Sequence, residues 1–491
     1  MRYLVLCTDY DGTLATDGRV LPETEAALER LLASGRRLVL VTGRELDDLQ
    51  KVCPRLDLFE YVVAENGALL YHPGTGQETP LAPRPPETFV ALLRQRGVGP
   101  ISVGRVIVAT WEPHETMVLA TIRDLGLELQ VIFNKGAVMI LPAGVNKATG
   151  LAHALERMEL SPRNAVGIGD AENDHALLAS CECSAAVANA LPTLKGAADM
   201  VTRADHGAGV VELIDAMLRD DLASLEPKLT RHHVVLGSDE SGREVLLKPY
   251  GETVLVVGPT HSGKSELATG LLERLAVKGY TFGVIDVEGD YGAIAKAVAL
   301  GGPDRAPSAE EILRLLRGAD KSGVVNLSGL PAQARPPFVR ALVPQLAQLR
   351  ARLGHPHWIV VDESQHLLPA NSAARGEPVP IGAEQSVVHI AERPALVASQ
   401  VLRATSLFVA LGPAAPAALD EFCQASGHSR PTETHVTVSD GAALCWRPGE
   451  PNARPFRLNT AAPQHPPAAG AEGVVKAATS RPANTRTRGL H

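Results

Sequence analysis

The sequence predicts an α/β protein built from two parallel-sheet units in tandem. Short apolar runs without polar alternation, YLVLC (Tyr3–Cys7), RLVLV (Arg37–Val41) and TVLVV (Thr253–Val257), imply strands buried on both faces. Helical patterns lie between them, with Pro22 suited to a first turn and Gly35 to a helix stop. The 491 residues suffice for two or three domains.

Composition narrows the class. Hydrophobic residues make up 45% and charged residues 21%, ordinary for a chain that buries real cores. No apolar run reaches membrane-spanning length, and Met1-Arg2 leads straight into a strand rather than a leader, so a cytoplasmic protein without a membrane partner is expected. Six scattered cysteines fit a reducing compartment. Cys181 and Cys183 have no second Cys/His pair at zinc spacing and read as core or turn residues. Net charge is −8, unevenly spread. Residues 1–225 hold 20 Lys+Arg against 30 Asp+Glu, and the remainder 27 against 25. The first half is therefore a poor non-specific nucleic-acid binder, while the second is permissive. An aromatic fraction of 4% argues against base-stacking platforms.

In chain order, strand–helix alternation fills residues 1–218, with an inserted segment at about 83–145. Residues 219–231 are polar, include Glu226-Pro227 and read as a linker. A hairpin, HVVLGSDESGREVLLKP, then opens a second unit over 232–459. Residues 460–491 turn to Pro, Ala, Thr and Gly, with Lys476, Arg481, Arg486 and Arg488 but no acid near the end, and read as a disordered tail. A solvated terminus is the plain reading of that tail, and nucleic-acid contact the alternative.

Four segments of the first unit end strands or open a helix where one sheet edge would collect them. They are DYDGT (Asp9–Thr13), VTGR (Val41–Arg44), GVNKATG with Lys147, and GIGDAEND (Gly167–Asp174). An acidic strand end alone is most often a polar turn. Together the inventory suits phosphoryl transfer. Asp9 can attack phosphorus. Asp11 can protonate the leaving group and later deprotonate water. Asp9 and Asp170 offer hard oxygens for Mg²⁺. Thr42 and Lys147 can hold phosphoryl oxygens, and Gly12 lets the chain pass close to the phosphate.

These four stretches resemble the motifs of the haloacid dehalogenase superfamily, in their usual order. The resemblance implies a Rossmann-like core, an aspartyl-phosphate mechanism and a magnesium site drawing on Asp9, Asp11, Asp170 and Asp174. RVIVATW, LELQVIF and GAVMILP around one helix resemble the α/β cap of the Cof-like branch. Such caps close over small phosphorylated metabolites, often sugar phosphates or phosphoglycolate. ENGA (Glu65–Ala68) also resembles that branch, which makes Asn66, with Asn173, a candidate phosphate or substrate contact. An Asn-Gly pair is otherwise a plain turn.

A second phosphate cradle follows. GPTHSGKS (Gly258–Ser265) fits G-x-x-x-x-G-K-[ST] after an apolar strand and before a helical pattern. Gly258 and Gly263 would shape the loop, Lys264 would reach the β/γ oxygens of ATP and Ser265 would bind Mg²⁺. WIVVDE ends a buried strand in Asp362, suited to the metal shell, and Glu363, suited to polarising water. With the leading hairpin and VIDVEGDY, these features resemble the HerA/FtsK ATPases, a RecA-like P-loop fold. The resemblance implies a homo-oligomer, a hexamer, and leaves DNA as an open partner. Two departures stand out: His261 inside the loop, and Glu392 in AERP where that family often has a Gln-Arg-Pro-like sensor. Arg393 and Arg403 are the arginine-finger candidates.

Three functions remain on these grounds. The first is a phosphatase fused to an ATPase, the second a nucleic-acid end-processing kinase-phosphatase or DNA translocase-associated phosphatase, the third a phosphatase with a non-hydrolysing nucleotide sensor. The polar linker predicts two units that fold and work separately.

Overall fold

The computed structural model describes residues 1–371, 386–432 and 437–459. The tail beyond residue 459 lies outside them. In the first unit, β1 (Val5–Thr8), α1 (Pro22–Ala33), β2 (Arg37–Val41), α2 (Leu46–Val52) and β3 (Tyr61–Ala64) alternate. A meander follows, β4 (Leu69–His72) and β5 (Gln77–Pro80). The insert comprises α3 (Glu87–Gln95), β6 (Ser102–Val103), β7 (Val108–Trp111), α4 (Glu115–Asp124), β8 (Leu129–Asn134) and β9 (Ala137–Pro142). The chain returns through α5 (Lys147–Arg157), β10 (Ala165–Gly169), α6 (His175–Ser180) and β11 (Cys183–Ala186). α7 (Pro192–Ala197), β12 (Met200–Val201) and α8 (His206–Asp220) complete the unit.

One eight-stranded sheet results, in the order β12-β11-β10-β1-β2-β3-β4-β5. It is parallel from β12 to β3. Every residue of β1 and β10 is buried, as strands without polar alternation must be when both faces are covered. The insert is a four-stranded antiparallel sheet, β6-β7-β9-β8, carrying two helices rather than the one helix expected. The added helix, α3, turns Phe89, Val90 and Leu93 inward against Val118 and Ile122 of α4. That is one apolar stripe at helical spacing.

The second unit opens with the hairpin β13 (Val234–Ser238) and β14 (Glu244–Leu247). β15 (Thr253–Val257), α9 (Lys264–Val277), β16 (Phe282–Asp286), β17 (Ala297–Gly301), α10 (Ala309–Leu316) and β18 (Ser322–Asn326) follow. Then come α11 (Arg335–Leu353), β19 (Trp358–Val361), β20 (Val387–Ala391), β21 (Leu407–Leu411), β22 (Ala442–Trp446) and β23 (Arg454–Leu458). All eleven strands share one sheet, β14-β13-β23-β22-β21-β15-β20-β19-β16-β18-β17. It is parallel from β17 to β21 and antiparallel beyond.

The polar stretch after α8 does not hang free. Leu222 and Leu229 are buried in the first unit's core. Asp221 pairs with Arg36, and Glu226 with Arg2. Arg231 donates to the carbonyls of Cys181 and Glu182. Composition suggested a linker because each apolar anchor stands alone among polar neighbours.

The two units meet through the starts of their strands. Glu182, 1% exposed at the start of β11, pairs with Arg2 at 2.5 Å and Arg163 at 3.3 Å. It also accepts the Tyr280 hydroxyl, just before β16, at 2.8 and 2.9 Å. Asn164 donates to Gly354 O, and Arg317 pairs with Glu159. The ends of the strands, where ligands bind in such sheets, therefore point away from the junction.

Candidate functional site

Asp9 follows β1 and is 4% exposed. Lys147, the first residue of α5 and 1% exposed, donates to Asp9 Oδ1 at 2.5 Å and to Asp174 Oδ1 at 2.6 Å. α5 can start there because Asn146 caps it, accepting from Ala148 and Thr149 N–H. Close backbone approach also matters. A Cβ on Gly67, at φ 104°, would lie 1.9 Å from Asn146 O, so only glycine lets the turn after β3 press against this helix start.

Asp174 Oδ2 accepts the N–H groups of Asp170 and Ala171, both at 3.0 Å, which fixes the loop after β10. Asp9, Asp170 and Asp174 each aim an oxygen into one space, all within 4.8 Å of one another. Three hard oxygens and no soft ligand suit Mg²⁺. Burial, reinforced by the charges of Asp174 and Asp170, pushes the Asp9 carboxyl up to about 7 against the pull of Lys147. Excess negative charge of this kind is what a cation relieves.

Asp11 stands apart from that trio. Arg44 grips its carboxylate with two N–H groups at 2.6 and 2.7 Å, and its main-chain oxygen shares the Lys135 ammonium with Asp170 Oδ2. Thr42 is 1% exposed and its hydroxyl accepts the Arg44 N–H. Gly12, at φ 87°, leaves no space for a side chain, since a Cβ would lie 2.5 Å from Asp170 Oδ2. Asn173 donates to Asn66 Oδ1 at 2.9 Å, while Asn66 Nδ2 and Asn173 Oδ1 are buried without a partner. Unpartnered buried amides are costly unless a ligand completes them.

Sequence reasoning passed over three side chains. Arg44 presents Asp11. Glu65, fully buried at φ 52°, accepts the N–H groups of Arg105, Val106 and Ile107 at 2.7, 2.7 and 2.9 Å, tying the insert to the core. Lys135, in the turn between β8 and β9, reaches Asp170 Oδ2 at 2.8 Å and Asp11 O at 2.9 Å. The readable signals were TGR and ENG; a lone lysine 35 residues from its partner carried none.

In the second unit, the loop between β15 and α9 borders a cleft of about 650 Å³. Thr260, Gly263, Lys264, Ser265, Asp362 and Glu363 line it, and so does Glu392. Gly258 closes the loop's start, where Lys264 donates to Gly258 O and Pro259 O at 2.9 Å each. His261 takes φ 64°, a left-handed conformation His tolerates better than most residues. Asp362 is pushed up to about 7 by burial and then by Glu363. Arg393 pairs with Glu421 instead of lining the cleft, and Arg403 is on a separate short helix, Ser399–Ala404. Cys181, Cys183 and the other cysteines are buried free thiols. Among the described residues, no helix is long and apolar enough to cross a membrane.

The family described as haloacid dehalogenase-like hydrolase matches residues 6–110 and 121–214. Phosphoglycolate phosphatase of Natronomonas pharaonis is 31% identical over 225 residues, which is 43% of this chain and 96% of that protein. Phosphoglycolate phosphatase 2 of Saccharolobus solfataricus is 29% identical over 223 residues, 44% of this chain and 92% of that one. A haloacid dehalogenase-like hydrolase structure from Bacteroides thetaiotaomicron has a TM-score of 0.40 and 19% identity, covering 44% of this chain and 99% of that one.

Proposed function

Since this chain belongs, through its first unit, to the haloacid dehalogenase-like hydrolases and is a phosphatase of that family, we propose that it hydrolyses a small phosphorylated acid through an aspartyl phosphate on Asp9. The observation that carries this reading is the Lys147 bridge between Asp9 and Asp174 with Asp170 alongside. An Asp9 oxygen attacks phosphorus as the bond to the leaving oxygen breaks, and Asp11 gives that oxygen its proton. Asp11 then takes a proton from water, whose oxygen attacks the same phosphorus and frees Asp9 and inorganic phosphate. Lys147 and the Thr42 hydroxyl hold the phosphoryl oxygens as charge builds. Asn66 and Asn173 complete their amides on the substrate. Mg²⁺ held by Asp9, Asp170 and Asp174 would neutralise the approaching phosphate. The names of the relatives favour phosphoglycolate as that acid. Phosphate release from 2-phosphoglycolate by the full chain, with and without Mg²⁺, tests the reading. Asp9→Asn should abolish it, and near-normal hydrolysis by that variant would remove the covalent route.

For the second unit we infer ATP binding at Gly258–Ser265, with Ser265 and Asp362 toward Mg²⁺ and Glu363 toward water. The support is the left-handed His261 and Gly263 in a strand–loop–helix that borders an acidic cleft. Glu392 in that cleft cannot donate to a γ-phosphate, which favours slow turnover or a sensing role. Oligomerisation and DNA binding follow only if the unit works as a motor. Lys264→Ala should weaken fluorescent-ATP binding, and Glu363→Gln should keep binding while stopping hydrolysis. Equal ATP affinity in Lys264→Ala would remove the assignment.

A further inference from the structure

We propose that Lys135, at the tip of the hairpin between β8 and β9, reads a carboxylate on the leaving group of the phosphatase substrate. This rests on the acid-substrate reading above and assigns it a residue. The first ground is backbone geometry. Lys135 and Gly136 form a two-residue hairpin loop with φ of 49° and 84°. Such a loop ordinarily takes Asn-Gly, because both positions are left-handed. A lysine there carries avoidable strain, and strain of this kind gathers where a side chain is needed.

The second ground is where the side chain goes. Its ammonium crosses from insert to core and touches Asp170 Oδ2 and Asp11 O, so close above Gly12 that a Cβ there would meet it at 2.6 Å. A divalent cation among Asp9, Asp170 and Asp174 would compete for the Asp170 carboxylate and repel the ammonium.

The third ground is what the neighbouring cations already hold. Lys147 bonds Asp9 and Asp174, Arg44 bonds Asp11 and Asp48, and Arg105 bonds Asp47 and Glu78. Among the described residues, Lys135 pairs with one carboxylate, Asp170, and that is one a cation would compete for. A half-exposed ammonium carried by the insert is thus released beside the Asp9 cluster, on the side where this reading puts the leaving group. A carboxylate one methylene from the phosphoester oxygen satisfies it, and an alkyl group does not.

The test compares 2-phosphoglycolate with ethyl phosphate, which replaces the carboxylate by a methyl group, in the full-length chain with Mg²⁺. Lys135→Asn removes the ammonium while suiting the turn, so its melting temperature should equal or exceed that of the parent. The ratio of kcat/KM for 2-phosphoglycolate to that for ethyl phosphate should fall about 10- to 100-fold, mainly through KM, as expected for one charge-assisted hydrogen bond. Lys135→Arg should restore most of the ratio. In an Asp9→Asn background, which does not turn over, calorimetric affinity for 2-phosphoglycolate should fall by a similar factor on adding Lys135→Asn. If the parent prefers 2-phosphoglycolate and Lys135→Asn keeps the preference, the assignment of Lys135 is wrong and the acid-substrate reading stands. If the parent shows no preference, both fall.

Discussion

The Tyr280 hydroxyl donates to both oxygens of the Glu182 carboxylate, at 2.8 and 2.9 Å, across the junction of the two units. Glu182 is buried and also holds Arg2 and Arg163. Removing the hydroxyl leaves a buried charge short of a donor. Tyr280→Phe should therefore lower stability by about 1.5–3 kcal/mol, read by urea unfolding, while phosphatase kinetics stay at the parent level. A change in KM would show that the junction reaches the catalytic edge.

Glu65 should matter although it holds the insert rather than the acidic cluster. Glu65→Ala orphans three N–H groups of residues 105–107, worth roughly 3 kcal/mol or more in total. The expected result is faster proteolysis within residues 83–145 and at least a tenfold loss of kcat/KM. Limited digestion and steady-state kinetics on one preparation check both. Parental cleavage rates would mean that the insert is anchored elsewhere.

Arg44 grips Asp11 through two N–H groups, a geometry lysine cannot copy. Arg44→Lys keeps the charge but lets the carboxyl rotate away from the leaving oxygen. We expect kcat to drop about 10- to 100-fold, in the range of general acid–base contributions, with KM nearly constant.

Asp362 gives a pH test of the second cleft. Burial and then Glu363 push its carboxyl up to about 7 from the ordinary 3.8, so the folded chain holds the proton more tightly than the unfolded one. The resulting stability is complete below about pH 4 and is lost as pH rises through 7. Asp362→Asn should thus be near neutral at pH 4 and stabilise the ligand-free protein by about 1–3 kcal/mol at pH 8. Melting curves across that range would expose a flat difference, which would place the buried charge on another group.

The parts legible in the sequence were those written locally. YLVLC announced β1 because a strand buried on both faces has no polar position to mask it. Asp9, Lys147 and Asp170 were readable because strand ends in a parallel sheet share one edge. Helix α3 was missed because its Pro-rich approach, Ala82–Pro86, hides where the helical stripe begins. Lys135 and Asp170 lie 35 residues apart, and Glu182 and Tyr280 lie 98 apart, with no periodicity to join them. Pairings of that kind depend on how the sheets stack, which neither propensity nor motif encodes.

The start-to-start meeting of the two sheets separates their ligand edges. Arg2 to Asp9 and Tyr280 to Asp286 each advance roughly 20 Å at about 3.3 Å per residue. The Asp9 cluster and the Lys264 cleft are thus on the order of 40 Å apart. Ionic screening in physiological salt decays over about 8 Å. A phosphate or cation arriving at one edge is therefore electrically silent at the other through solvent. Any message between them travels as a mechanical displacement through the contacts that join the strand starts, Tyr280–Glu182, Asn164–Gly354 and Arg317–Glu159 among them.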